Sequence, residues 1–165
     1  MIQKKICMLG GFAVGKTSLV SRFVRSIFSD KYLTTVGVKI DKKLMAVDGH
    51  DVTLMLWDLY GQDEFQSIQE TQLRGTAAYL LVVDGTRPAT LDTALDLQQR
   101  TERVVGTVPF VVVLNKSDLA AEWRLDDSAV ATSFARSAGV VRASAKTGDG
   151  VEAAFVTLTR AMLAR

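Results

Sequence analysis

Gly10-Gly11-Phe12-Ala13-Val14-Gly15-Lys16-Thr17 fits the pattern G-x-x-x-x-G-K-[ST], the signature of a loop that cradles phosphate groups. Its flanks suit that chemistry. Before it, Ile6-Cys7-Met8-Leu9 is short, apolar and compatible with a strand. After it, Ser18-Leu19-Val20-Ser21-Arg22-Phe23-Val24 carries apolar residues at helical spacing. A strand, a Gly-bearing loop and a helix N-terminus together make an anion site, because the loop presents backbone N–H groups and the helix dipole adds positive potential. Gly10, Ala13, Val14, Gly15, Lys16, Thr17 and Ser18 are assigned to the nucleotide. Lys16 is expected to reach the β- and γ-phosphates, as a catalytic as well as a binding group, and the Thr17 hydroxyl to ligate Mg²⁺.

Outward from this loop, strand and helix patterns alternate along the whole chain, which argues for an α/β domain around a mostly parallel sheet. Strands are expected at 4–9, 38–47, 51–58, 78–84, 110–114 and 139–143. Leu80-Leu81-Val82-Val83 and Val111-Val112-Val113-Leu114 are continuously apolar, as buried central parallel strands should be. Val38–Val47 mixes charged and apolar residues like an edge strand, with Lys39, Lys42 and Lys43 as edge protection. Asp48-Gly49 joins it to the next strand as a hairpin turn, and His50, the only histidine, is a solvated residue there. Helices are expected over 16–25, 62–73, 89–104, 127–137 and 151–163. The last carries Val151, Ala154, Phe155, Leu158, Ala161 and Met162 on one face, a core stripe against the sheet. Such a sheet binds ligands at the carboxyl ends of its strands, and each motif that follows falls at one.

Trp57-Asp58-Leu59-Tyr60-Gly61-Gln62 closes an apolar strand. Asp58 there is the expected direct or water-bridged partner of Mg²⁺, the Gly61 N–H suits a γ-phosphate oxygen, and Gln62 is placed to orient an attacking water. Asn115-Lys116-Ser117-Asp118 follows the Val111–Leu114 run. An ionised Asp118 accepts two hydrogen bonds from the N1–H and N2–H₂ of guanine, a donor pair that adenine lacks. The Asn115 amide is expected to hold neighbouring loops and the Lys116 stem to cover the base face. Ser144-Ala145-Lys146 follows the last strand, with the Ala145 N–H toward the guanine O6 and the Lys146 stem against the base.

In order and spacing, Lys16-Thr17, Asp58-x-x-Gly61-Gln62, Asn115-Lys116-x-Asp118 and Ser144-Ala145-Lys146 resemble a Ras/Rab-type small GTPase over essentially the whole chain. The resemblance adds Phe28 as the aromatic edge against guanine. It reads Tyr32-Leu33-Thr34-Thr35-Val36-Gly37-Val38 as a Rab-like switch I, with Tyr32 at the nucleotide and the Thr35 hydroxyl on Mg²⁺. Leu73-Arg74-Gly75 and Asp84-Gly85-Thr86 also look Rab-like. The implied fold is a P-loop NTPase domain over residues 1–165, with a six-stranded sheet, one antiparallel edge strand and five helices. The implied function is a molecular switch that binds GTP or GDP with Mg²⁺. Switch I (Ile27 to Val38) and switch II (Leu59 to Leu73) would then meet effector, exchange and GTPase-activating proteins.

The chain departs from that pattern in places. Phe12 stands where the family has a small residue, and its ring is expected to crowd Gln62 and exclude an arginine finger. Leu59-Tyr60 replaces the usual Thr-Ala. Switch I has no arginine, and Lys31 lacks the planar fork to substitute. Slow intrinsic hydrolysis is therefore expected, with a GTP-dependent binding module of negligible turnover as the second reading. Trp57 matches the aromatic set through which the Rab branch reads effectors, but Ile40 and Gln72-Leu73 do not.

Bulk properties narrow the field further. The chain has 165 residues, 48% of them hydrophobic and 23% charged, which suits one soluble domain with one sizeable core. A net charge of +2 is too small to argue for nucleic acid or an anionic membrane. Cys7 is the single cysteine, sits in an apolar run and reads as a buried structural thiol in a cytoplasmic protein. No lipidation signal or spanning apolar run stands out, so no direct membrane anchor is expected. The Ala-rich composition suits a prokaryotic relative. A P-loop ATPase or kinase of another class is the remaining rival, and Asp118 argues against it.

Overall fold

A computed structural model describes residues 2–24, 32–33, 38–59 and 70–165, with only the backbone at 32–33. Its strands are β1 (Ile2–Gly10), β2 (Tyr32–Leu33), β3 (Val38–Val47), β4 (His50–Leu59), β5 (Thr76–Asp84), β6 (Phe110–Asn115) and β7 (Gly139–Arg142). Its helices are α1 (Lys16–Val24), α2 (Glu70–Leu73), α3 (Ala89–Val105), α4 (Asp127–Ser133) and α5 (Val151–Leu163). One sheet holds all the strands in the order β2-β3-β4-β1-β5-β6-β7. The six expected strands form its body: β4, β1, β5, β6 and β7 run parallel, and β3 runs antiparallel to β4. Two-residue β2 is added outside β3, pairing only with Ile40 and Lys39, so most of β3 remains an edge. Lys42 on that edge is exposed.

Several ends differ from the expected ones. β1 and β5 begin two residues earlier, because Ile2 and Thr76 already pair with Val52 and Lys5. The β3–β4 turn is tighter than expected: Asp48 and Gly49 both take positive φ (50° and 82°), and exposed His50 is already the first residue of β4. Helix α4 stops at Ser133, where Phe134 leaves helical geometry (φ −116°, ψ 46°). Its start is defined by Asp126, whose carboxylate accepts from the Ser128 and Ala129 N–H groups. Residue 25 and residues 62–69, assigned to the ends of two expected helices, lie outside the described residues. Among those described, no helix is long and apolar enough to cross a membrane.

Strand alternation sends neighbouring side chains to opposite faces. On one face Ile6, Met8, Leu54, Leu56, Leu80, Val82, Val111 and Val113 pack under α1 and α5. On the other, Cys7, Leu9, Tyr79, Leu81, Val83, Val112 and Leu114 pack under α3 and α4. Every residue of β6 is buried, as its unbroken apolar run implies. The α5 stripe faces the core as expected, except that Ala161 is half-buried while Thr159 is buried and donates to the Phe155 carbonyl at 2.7 Å. Cys7 is buried with Sγ 3.1 Å from the Thr76 hydroxyl, and burial pushes its thiol pKa up.

Phe23 of α1 stacks on Phe155 of α5 with ring centroids 3.8 Å apart and planes 3° from parallel. This stack ties the helix that opens at the phosphate loop to α5. Phe155→Ala is expected to destabilise the domain by about 3–5 kcal/mol, read as a lower urea midpoint with an unchanged m-value.

Candidate functional site

The loops after β1, β5, β6 and β7 and the end of β4 gather at the carboxyl end of the sheet. In the first of them, Leu19 N–H bonds to the Gly15 carbonyl at 2.9 Å, so α1 starts directly beneath the loop. Gly15 takes φ +102°, and a Cβ there would lie 2.3 Å from the Asn115 amide nitrogen; only glycine allows this approach. Lys16 folds back over the loop, with Nζ 3.3 Å from the Gly10 carbonyl and 3.2 Å from that of Leu59. Burial pushes the Lys16 ammonium pKa down, and the charge of Asp58 offsets part of this. Val14 points into the core, so only its backbone serves the loop. Phe12 stays 71% exposed, and Ser18 is exposed on the first turn of α1.

Three consecutive loop carbonyls are each held by a side chain from another loop. Phe12 O accepts from Arg87 Nη2 at 2.8 Å, Ala13 O from Lys116 Nζ at 3.1 Å and Val14 O from Asn115 Nδ2 at 2.9 Å. Asp58 closes the other side. It is fully buried at the end of β4 and accepts from the Thr17 hydroxyl at 2.5 Å through Oδ2. Its Oδ1 is also buried and has no hydrogen-bond partner among the described residues. A buried carboxylate oxygen of that kind, beside a hydroxyl, suits a hard divalent cation.

At the far end, Ser144 Oγ donates to Asp118 Oδ1 at 2.8 Å and accepts from Thr147 N–H at 3.1 Å, which fixes one carboxylate oxygen of an otherwise exposed Asp118. The Ala145 N–H, expected to face a guanine O6, donates here to Asn115 Oδ1 at 3.2 Å. Asn115 thus holds the phosphate loop with one end of its amide and the Ser144–Lys146 loop with the other, as expected of it. Lys146 is exposed. Lys116 takes φ +72° and sends its ammonium to Ala13 O and to Asp84 (2.7 Å). Phe28, Thr35, Gly61 and Gln62, the Tyr32 side chain, and most of both expected switches lie outside the described residues.

Besides Arg87, two further groups belong to the site that motif reading left without a role. Arg22 of α1 donates to the Ala145 carbonyl at 3.0 Å and also to that of Lys146. Asp84, fully buried at the end of β5, gathers Lys116 Nζ, Arg87 Nε (2.9 Å) and both the N–H (2.9 Å) and hydroxyl (2.7 Å) of Thr86. Its signal lay in the sequence: an acid that ends a run as apolar as Leu80–Val83 is buried, and a buried acid needs partners. Arg22 carried no such signal.

Residues 5–164 match the family model described as "Ras family". The chain is 35% identical to the Ypt/Rab-type GTPase avaA of Emericella nidulans, over 99% of this chain and 84% of that protein. It is 36% identical to the Ypt/Rab-type GTPase ypt7 of Pyricularia oryzae, over 98% and 82%, and 32% identical to Ras-related protein Rab-1 of Theileria parva, over 96% and 73%. The chain belongs to the Ras family. Its Ras-family motifs therefore have a common frame: the described ones converge on one end of one sheet, and their backbone and side-chain anchors interlock through Asn115, Lys116 and Asp84. The resemblance to Rab-type proteins is borne out by the relatives.

Burial pushes the Asp84 carboxyl pKa up, but the hydrogen bonds from Lys116, Thr86 and Arg87 outweigh it and hold the group well below the usual carboxylate range. A depressed acid stabilises the fold above its unfolded pKa of about 3.9, and that stability is lost as pH falls toward the folded value. Asp84→Asn is expected to cost about 1–3 kcal/mol at pH 7. Urea unfolding should give the same difference at pH 5 and a shrinking one below pH 4. A difference constant down to pH 2.5 would show that the charge is not the stabilising element.

Proposed function

We propose that this Ras-family chain is a guanine-nucleotide switch acting in the cytoplasm, binding GTP and GDP with Mg²⁺ and hydrolysing GTP slowly. The observation that carries this reading is Asn115, whose one amide joins the phosphate loop at Val14 to the Ser144–Lys146 loop at Ala145. A base specificity pocket and a phosphate cradle built on one side chain suit a ligand with both parts. Asp118, with one oxygen oriented by Ser144, selects guanine through the N1–H and N2–H₂ donors. The loop N–H groups and Lys16 take the β- and γ-phosphates. Thr17 and Asp58, with Thr35 in the GTP state, would hold Mg²⁺, which would supply neutralisation of phosphate charge. Gln62 orients the attacking water, the Gly61 N–H binds the γ-phosphate, and Phe28 and Tyr32 flank the nucleotide.

Slow hydrolysis follows from Phe12. A phenyl ring at this position, where the family has a small residue, would crowd Gln62 and exclude an incoming arginine. Its 71% exposure supports the second reading as well, a GTP-dependent binding module with negligible turnover. Effector, exchange and GTPase-activating proteins would read either form through switch I and switch II.

Fluorescent GDP preloaded on the protein should be displaced by GDP and not by equimolar ATP; equal displacement would overturn the base assignment. In single-turnover hydrolysis with Mg²⁺ and no partner, the rate should fall below the ~10⁻⁴–10⁻³ per second of a Ras-type enzyme acting alone. Phe12→Gly should raise it by about fivefold or more, on the scale of losing or restoring one well-placed interaction. An unchanged rate in Phe12→Gly removes Phe12 from the argument, and no turnover in either protein favours the binding module.

A further inference from the structure

The phosphate loop has no cis peptide, and a trans peptide points its carbonyl and the following N–H in opposite directions. Any group that grips the carbonyl of one residue therefore aims the N–H of the next. Asn115 on Val14 O aims the Gly15 N–H, and Lys116 on Ala13 O aims the Val14 N–H. Arg87 on Phe12 O stands in the same relation to the Ala13 N–H. We propose that Arg87, braced by Asp84, is a positioning residue that keeps the Ala13 N–H turned into the phosphate cradle and so slows release of nucleoside di- and triphosphates.

The geometry supports a brace rather than a chance surface contact. Arg87 is held at two points of its planar fork, Nε on Asp84 and Nη2 on Phe12 O. Its anchor is a fully buried carboxylate that also holds Lys116, so one acid sets two of the three carbonyl grips. The gripped peptide needs holding: Ala13 sits at φ +59°, a left-handed conformation that a residue with a Cβ rarely keeps unless its surroundings impose it. Released from Arg87, the Phe12–Ala13 peptide can flip, presenting a carbonyl oxygen to the phosphates where an N–H had been.

This inference rests on the guanine-nucleotide reading, and the test separates the two. Release of fluorescent GDP into excess GDP is timed for the wild type, Arg87→Ala, Arg87→Lys and Asp84→Asn, and GDP and GMP affinities are measured by competition. Arg87→Ala is expected to speed GDP release and weaken GDP binding by about three- to tenfold, the scale of one charge-assisted hydrogen bond. GMP, which lacks the phosphates that the Ala13 N–H faces, should bind within about twofold of wild type by the same reasoning. Arg87→Lys should behave like Arg87→Ala, because one ammonium on a flexible stem does not reproduce the two-point fork. Asp84→Asn combined with Arg87→Ala should add less than the sum of the two. Unchanged GDP release in both Arg87 variants overturns the proposal, and so does an equal loss for GDP and GMP, which would mark general loosening. Should Arg87→Ala fail to fold by circular dichroism, Arg87→Lys alone decides. A wild type that binds no GDP overturns the functional reading itself, before any variant is made.

Discussion

One carboxamide joins the two ends of this site. Asn115 lies at the last position of β6, the most completely buried strand, and its side chain bonds the phosphate loop in one direction and the loop after β7 in the other. Much of the surrounding structure accommodates it. Gly15 has no side chain because the amide fills the place a Cβ would take. The flanking Lys116 adopts a left-handed backbone, and its ammonium then reaches the phosphate loop as well. Separated by more than a hundred residues of chain, the two loops are held in register by a group at the end of a buried strand.

The same economy appears around α2. Lys5 of β1 donates to the carbonyls of Gln72 and Arg74 at 2.7 and 2.8 Å while its ammonium rests 3.7 Å from the centre of the Trp57 ring. Thr76 takes the intervening Leu73 carbonyl at 2.5 Å. The end of α2 is thereby tied to the sheet at consecutive carbonyls, as the phosphate loop is at Phe12, Ala13 and Val14. Burial lowers the Lys5 pKa, the expected cost of bringing an ammonium against a ring and two carbonyls.

How far the sequence could be read depended on how local each signal is. The phosphate loop was legible because its glycines and lysine are adjacent and each is demanded by backbone geometry. β6 and the α5 stripe were legible because a continuous apolar run and a 3.6-residue period survive any tertiary context. The ends of α4 and β1 were not, since they are decided by a single residue's backbone at Phe134 and by pairing across to Val52. Two-residue β2 carries too little pattern to be seen at all. Of the site, Asp118, Ser144 and Asn115 stood out as members of motifs, but Arg22 and Arg87 act on carbonyls, and a carbonyl has no sequence. Which arginine meets which peptide is settled only when the helices dock.

The stacked rings of Phe23 and Phe155 carry a consequence for the order in which the chain is made. Helix α1 is synthesised well before α5, yet the two share one face of the sheet and meet through this stack. A nascent chain that has emerged as far as β6 has its phosphate loop and its Asn115, but the amide's second partner at Ala145 and the ring that backs α1 are still to come. At translation rates of about 5–20 residues per second, the interval is a few seconds in which Phe23 can pack on the sheet but lacks its stacking partner on α5. Completion of the site at Ala145 and closure of the Phe23–Phe155 stack thus fall close together in synthesis, well after the phosphate loop has been made.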